Sequence, residues 1–125
     1  MINQQIIKIA ADTSNYGIKK NTNFIATSRN KICGDKITVE LEIKKNVIKK
    51  MSYETESCVF CQASASLLSK SIKNKNTKIL TIFIGTIKKN KTFKKLLEKK
   101  ERINCIMLPF EALQKAINNT WLEKL

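Results

Sequence analysis

The clearest pattern in the chain is an alternation of apolar and polar residues in two neighbouring runs. The first run covers 36–44, where every second side chain is apolar, and the second covers 47–55, where the alternation passes through Met51 and Tyr53. A period of two is typical of a β-strand with one buried face. The polar stretch at 44–46 breaks the pattern, so the two runs are predicted to form an antiparallel hairpin.

After the hairpin, the apolar period changes to that of a helix. Cys61, Ala65, Leu68 and Ile72 lie on one helical face and form an apolar stripe. Cys58 comes just before this helix, where free N–H groups and the helix dipole favour a thiolate. Cys61 shares the buried stripe, and we interpret it as a core residue in preference to a ligand.

Other segments show weaker helical patterns. Residues 1–11 predict a short amphipathic helix, and 93–100 predict another. A final helix is expected to start close to Ile106, because Pro109 is tolerated only within a first turn. The segment 78–88 is ambiguous, since its isoleucine, threonine and phenylalanine content favours a strand.

Three cysteines and one carboxylate are predicted to converge. Cys33 precedes the first strand and Cys58 follows the second, so the hairpin brings them to the same edge. Asp35 projects to the same side as Cys33 in an extended segment, and Cys105 lies before the final helix. Thiolates with a carboxylate suit zinc and iron sites. The alternative is a purely structural role, in which 33–35 is only a turn with a glycine at its centre and a buried cysteine.

The chain length and cysteine content limit the possible classes of protein. With 125 residues, the chain is expected to form a single domain over 1–125. No apolar run is long enough to cross a bilayer, and residues 1–11 lack the features of a signal peptide. A cytoplasmic location is therefore expected, and the four cysteines are predicted to bind metal or react rather than form disulfides.

The net charge of +14 raises a different possibility, a basic nucleic-acid-binding module. The basic residues are lysines except for Arg29 and Arg102, and they occur with many asparagines and isoleucines, which share A/T-rich codons. No aromatic stacking platform or recognition-helix motif accompanies them. We therefore expect most lysines to be solvated, with a salt-sensitive attraction to acidic protein partners as a weaker interpretation. The absence of histidine from the sequence excludes Cys–His and Ser–His catalysis.

Four motifs that occur in order carry a family resemblance. They are Cys33-Gly34-Asp35, Cys58 after the hairpin, Ala63-Ser64-Ala65-Ser66, and Arg102-Ile103-Asn104-Cys105. Together they resemble the U-type iron-sulfur cluster assembly scaffolds, the IscU, SufU and NifU N-terminal domain proteins. The resemblance implies an α+β fold, with a small three-stranded antiparallel sheet packed against several α-helices. It also implies a first strand near 24–27 and a helix over 78–88.

The resemblance further implies a function. A scaffold of this kind accepts sulfur from a cysteine desulfurase, binds iron, and assembles a [2Fe-2S] cluster that it transfers to acceptor proteins. Cys33, Cys58 and Cys105 match the family cysteines, and Asp35 matches the family aspartate. The chain would then be a carrier rather than an enzyme. The alternative within the family is a zinc-bound sulfur acceptor that relays persulfide, held on Cys105.

Several residues depart from the family pattern. Ser57 and Cys61 stand where the family usually has a glycine and a small residue, and Asn104 replaces a histidine or lysine. These changes leave the identity of the fourth ligand open. A third interpretation is a diverged member of the family that keeps the fold and partner binding but has weakened chemistry. The segment that the IscU branch presents to its chaperone is missing at 99–103, so a chaperone partner is also left open.

Overall fold

The computed structural model describes residues 4–22, 24–32, 34–87 and 89–123. The strands are β1 (Ile25–Arg29), β2 (Lys36–Lys44) and β3 (Val47–Glu56). The helices are α1 (Gln4–Ala11), α2 (Val59–Ser71), α3 (Leu80–Ile87), α4 (Lys91–Leu97) and α5 (Ile103–Glu123), with short 3-10 turns at Thr77–Ile79 and Lys100–Arg102. The predicted α+β class, with a three-stranded antiparallel sheet and several helices, is confirmed.

The hairpin forms as the alternation predicts. The sheet order is β1-β2-β3, and Lys36 pairs with Glu56 at the open end of the β2–β3 hairpin. Lys45 and Asn46 form the turn with φ angles of 52° and 66°, the left-handed conformation that a tight hairpin requires. The apolar side chains of β2 face the core. The polar face differs from expectation at Glu40, which is only 6 % exposed because the loop before β1 folds over it.

Helix α2 lies at the centre of the molecule, in contact with α1, α5 and β3. The predicted stripe is buried, but so are the serines between its members, with Ser64, Ser66 and Ser69 at most 2 % exposed. These small side chains allow neighbouring helices to approach on several sides of α2. The hydroxyl of Ser64 donates a hydrogen bond to the carbonyl oxygen of Ile106 in α5 at 2.6 Å.

The ambiguous segment 78–88 is helical where the structure describes it, as the resemblance implies, and the strand alternative is wrong. Helix α4 follows, and the Asn90 side chain caps it by accepting hydrogen bonds from the amides of Thr92 and Phe93. Among the described residues, no helix combines the length and the apolar character needed to span a membrane.

The start of the final helix was predicted wrongly. Helix α5 begins at Ile103 rather than close to Ile106, and Pro109 lies inside it instead of in its first turn. Proline has no N–H to donate to the carbonyl four residues earlier, here that of Cys105. Burial offsets this cost, because Pro109 is fully buried and the neighbouring Phe110 ring contacts Phe93 edge to face, with centroids 5.1 Å apart.

Candidate metal centre

Three of the four predicted ligands converge in the structure. The ligand atoms of Asp35, Cys58 and Cys105 all lie within 4.8 Å of one another. Asp35 immediately precedes β2, Cys58 caps α2, and Cys105 is in the first turn of α5. Cys33 lies outside the described residues, so its part in the site stays a prediction.

The loop before β2 positions Asp35. The amide of Gly34 donates to the carbonyl of Asn30 at 2.8 Å, and the amide of Asn30 donates to the carbonyl of Asp35 at 2.8 Å. Gly34 has a φ of +77°, a left-handed conformation that glycine adopts without strain. The loop is thus a turn, as the alternative without a metal site predicted. The carboxylate of Asp35 nevertheless lies beside Cys58. Its side chain is 7 % exposed.

Cys58 occupies the N-cap of α2. Its backbone is extended, with φ −70° and ψ 166°, and its side chain makes no capping hydrogen bond. The thiol instead lies 3.7 Å from Oδ2 of Asp35, to which it can donate. The sulfur is therefore oriented toward the other two ligands, and it remains partly accessible to solvent.

Cys105 reaches the site from a different element than expected. It was predicted to lie before the final helix, but it is the third residue of α5 and only 3 % exposed. The hydrogen bond between Ser64 and Ile106 joins α2 to α5 one residue beyond Cys105. That contact fixes the two helices that carry Cys58 and Cys105 relative to each other.

Cys61 lies in the core, as predicted. It is fully buried, and its sulfur is not part of the three-ligand cluster found among the described residues. Burial raises the pKa of the Cys61 thiol to about 11, while hydrogen bonds from Ser57 and Thr55 oppose the shift. The same thiol is close enough to Asp35 and Cys58 to experience their charge. The sequence did not predict that the Thr55 and Ser57 hydroxyls lie together near Cys61. The serine at position 57, where the family pattern has a glycine, was the one signal of it.

A shallow groove opens beside the site, between the loop before β2 and the start of α5. Arg29 and Lys31 give it a basic side, and Glu111 contributes a single acidic group. Ile32 is 89 % exposed at its edge, and Asn104 also lines it. Asn104, which directly precedes Cys105 in the sequence, therefore lines the groove and is not one of the converging ligands found among the described residues.

The chain is similar to known proteins along nearly its whole length. The family model described as the NifU-like N terminal domain matches residues 1–124. The chain is similar to the iron-sulfur cluster assembly scaffold protein IscU of Thermotoga maritima, with 24% identity over 94% of this chain and 92% of that protein. It is also similar to the zinc-dependent sulfurtransferase SufU of Bacillus subtilis, with 23% identity over 78% and 76%.

A solved structure supports the fold. The N-terminal part of a NifU-like protein from Brucella abortus superimposes with a TM-score of 0.78. The two chains are 23% identical, and the match covers 94% of this chain and 92% of that one. At this level of identity the likeness bears on the fold alone. It supports the arrangement of the sheet and helices that brings Asp35, Cys58 and Cys105 together.

Proposed function

Because this chain belongs to the NifU-like N-terminal domain family, we propose that it is an iron-sulfur cluster assembly scaffold. In this role it accepts sulfur from a cysteine desulfurase, binds iron, and assembles a [2Fe-2S] cluster that it passes to acceptor proteins. The observation that carries the proposal is the convergence of Asp35, Cys58 and Cys105 within 4.8 Å. These three residues come from three separate elements that the fold brings together.

The proposed ligands are Cys33, Asp35, Cys58 and Cys105. Thiolates bind both zinc and iron-sulfur clusters, and the four side chains would complete a four-coordinate site. Cys33 directly precedes Gly34 in the sequence, and Gly34 belongs to the described turn that positions Asp35. Such a site needs reduced thiols, which a cytoplasmic location supplies.

The mixed ligand set fits a protein that must release its cargo. A carboxylate is a harder ligand than a thiolate and holds soft metal centres less tightly. Asp35 is nearly buried, whereas Cys58 is partly open to solvent. We assign to Asp35 the exchangeable position of the site because of its carboxylate, and we place the entry of an acceptor's ligand on the accessible side, at Cys58.

Sulfur is proposed to arrive as a persulfide on Cys105. Cys105 is the third residue of α5, and its Sγ lies within 4.8 Å of the ligand atoms of Asp35 and Cys58. The exposed Ile32 and the basic groove beside the site provide a surface for the sulfur donor.

A second candidate function uses the same residues with zinc. In that case the chain is a zinc-bound sulfur acceptor that relays persulfide without building a cluster. The cluster of one carboxylate and two thiolates favours it, because zinc binds such ligands tetrahedrally. The name of the Bacillus subtilis relative, a zinc-dependent sulfurtransferase, adds support.

Anaerobic reconstitution distinguishes the two functions. The chain is incubated with ferrous iron, cysteine and a cysteine desulfurase, while visible charge-transfer absorption, iron and acid-labile sulfide are followed. A cluster that forms stoichiometrically and passes to an apo-ferredoxin supports the scaffold. Retained zinc with no accumulated sulfide contradicts the scaffold and supports the zinc relay.

A further inference from the structure

Cys61 is a nucleophile that the proposed site does not use. It lies three residues after Cys58, in the first turn of α2, with Cys58 at the N-cap. Residues three apart share one side of a helical turn. A pair of cysteines with this spacing at the start of a helix is the arrangement of dithiol–disulfide chemistry, with one accessible sulfur and one buried partner. Here Cys58 is partly accessible and Cys61 is fully buried.

The surroundings of Cys61 are polar for a core position. The hydroxyls of Thr55 and Ser57 lie 2.6 Å apart, and the Thr55 hydroxyl also bonds to the carbonyl of Lys36 at 2.7 Å. Both hydroxyls lie close enough to Cys61 to lower the pKa of its thiol, against the larger effect of burial, which raises it.

We propose that Cys61 is a resolving thiol that releases sulfur from a persulfide on Cys58 as hydrosulfide. The inference rests on the proposed function, since the persulfide sulfur comes from the donor that this function requires. The proposed role of Cys61 adds the reduction of persulfide sulfur to sulfide, a step that the three converging ligands do not provide. Donor sulfur arrives at the oxidation level of a persulfide, whereas a cluster contains sulfide.

The sulfur first moves from Cys105 to Cys58. The two Sγ atoms lie within 4.8 Å of each other, and a persulfide extends its sulfur by about 2 Å. The Cys58 thiolate attacks the outer sulfur of the Cys105 persulfide, and Cys105 leaves as a thiolate. The Asp35 carboxylate, 3.7 Å from the Cys58 sulfur, accepts the proton of the Cys58 thiol.

Resolution then follows by thiol–disulfide chemistry. Sγ of the Cys61 thiol attacks Sγ of the Cys58 persulfide anion, and the bond between the two persulfide sulfurs breaks. The outer sulfur takes the proton of the Cys61 thiol and leaves as hydrosulfide. A Cys58–Cys61 disulfide forms. The two cysteine sulfurs together lose two electrons, and the released sulfur gains them, so no outside reductant enters this turnover. A dithiol reductant must reduce the disulfide before the next turnover.

The test uses the full chain, reduced and freed of metal, with glutathione persulfide as the sulfur source. Hydrosulfide is trapped with monobromobimane, and the cysteines are mapped by mass spectrometry under anaerobic conditions. The wild type is compared with Cys61→Ser and with Cys61→Ala, which keeps a small apolar side chain at the buried position. A sample of the donor without protein provides the blank.

The inference predicts about one equivalent of hydrosulfide per wild-type chain, together with a Cys58–Cys61 disulfide. Both variants should keep a persulfide on Cys58 and release hydrosulfide only at the level of the blank. Release from the variants that equals that of the wild type would overturn the inference, and so would a stable persulfide on the wild type. Failure of every chain to take up sulfur would contradict sulfur acceptance itself.

Cluster formation is measured separately on the same chains, with ferrous iron and inorganic sulfide supplied directly. This assay bypasses persulfide resolution. A cluster on the wild type and on Cys61→Ala, without disulfide formation in the first assay, would overturn the role of Cys61 and leave the scaffold standing. A disulfide without any cluster would support the role of Cys61 and contradict the scaffold.

Discussion

Gly34 determines how the Asp35 carboxylate leaves its loop. Its φ of +77° lies in a region where a side chain is strained, although no atom comes within 4 Å of the position that a Cβ would take. The requirement for glycine is therefore one of backbone conformation and not of space. The loop hydrogen bonds between Asn30 and the two residues Gly34 and Asp35 depend on this conformation.

Gly34→Ala is expected to destabilise the protein and weaken metal binding. The left-handed backbone costs an alanine about 1 to 2 kcal/mol, and relief of that strain would displace Asp35. The free energy of unfolding in urea and the zinc affinity measure the two effects. Gly85→Ala is the matched control, because Gly85 lies in α3 and a Cβ there also meets nothing within 4 Å.

In a helix interior, alanine is favoured over glycine by roughly 0.5 to 1 kcal/mol, so Gly85→Ala should keep or raise stability and leave zinc affinity unchanged. Equal effects of the two substitutions would contradict the role of the Gly34 conformation.

The sequence predicted that the ends of the hairpin strands meet, but it did not predict the surroundings of each cysteine. Cys33, Asp35 and Cys58 were expected at one edge because a hairpin returns the chain to its start, and the described pair of Asp35 and Cys58 lies there. The pattern could not show that Cys61 adjoins a hydroxyl pair. That contact depends on the positions of Thr55 and Ser57 at the end of β3, which only the three-dimensional structure shows.

At the level of elements, one buried hydrogen bond joins the helix that Cys58 caps to the helix that carries Cys105. Ser64 Oγ in α2 donates to the carbonyl of Ile106 in α5 at 2.6 Å, and Ser64 is fully buried. The apolar stripe of α2 did not predict this contact, because a serine between stripe positions is normally expected to face solvent. Close packing of α5 against α2 buries it instead.

Ser64→Ala should destabilise the protein by about 1 to 3 kcal/mol, since the buried carbonyl of Ile106 loses a hydrogen bond. It should also lower zinc affinity, because Cys58 and Cys105 are carried by the two helices that it joins. Chemical denaturation and a competition assay for zinc measure these effects. Ser71→Ala is the control, since the Ser71 hydroxyl bonds only within its own helix, to Leu67. A loss of zinc affinity as large in Ser71→Ala would refute the proposed link.

Glu40 organises the loop between α1 and β1. Its carboxylate accepts hydrogen bonds from the amides of Lys19, Lys20 and Thr22 at 3.0 to 3.2 Å. The alternation along β2 placed Glu40 on the polar face but could not predict that a loop covers it. A single carboxylate here satisfies three backbone donors in a segment without regular structure.

Glu40→Ala is therefore expected to cost about 1 to 3 kcal/mol and to speed amide exchange over 19–22. Hydrogen exchange with mass spectrometry locates the effect, and urea unfolding measures its size. In the control Glu42→Ala, only an exposed ion pair with Lys44 is lost, so stability should change by less than about 1 kcal/mol. Unchanged exchange over 19–22 in Glu40→Ala would contradict this role.

The limits of prediction at this level have a common cause. Strong periodicity correctly gave β2, β3 and α2, whereas the start of α5 was missed because the rule for Pro109 considers only the local backbone. Burial of Pro109 and Phe110 in the core outweighs the missing hydrogen bond. Local rules fail where tertiary packing supplies the larger free energy.

At the scale of the whole molecule, an ion pair joins two segments that are distant in the sequence. Asp12 follows α1 and bonds to Lys70 near the end of α2. The hydrogen bond from Lys70, with further ones from Ser14, holds the pKa of Asp12 well below its ordinary value. A carboxyl group with a depressed pKa stabilises the fold above its unfolded pKa, and this contribution is lost as the pH falls.

Stability should therefore decrease as the pH falls from about 5 toward 2, and Asp12→Asn should show less of this decrease. The urea midpoint of the two chains, measured across that range, tests the difference. The effect is expected to be modest because both side chains are partly exposed and salt screens the pair. Identical pH dependence of the two chains would contradict the assignment.

The central claim is that four specific side chains hold the metal centre and that Cys61 does not. The most direct test is retention of a cluster reconstituted from ferrous iron and inorganic sulfide, followed by visible absorption after gel filtration. We expect Cys33→Ser, Cys58→Ser and Cys105→Ser each to lose the cluster, and Cys61→Ser to retain it, because only the first three remove a proposed ligand. Equal loss in all four variants, or retention by Cys58→Ser or Cys105→Ser, would contradict the account.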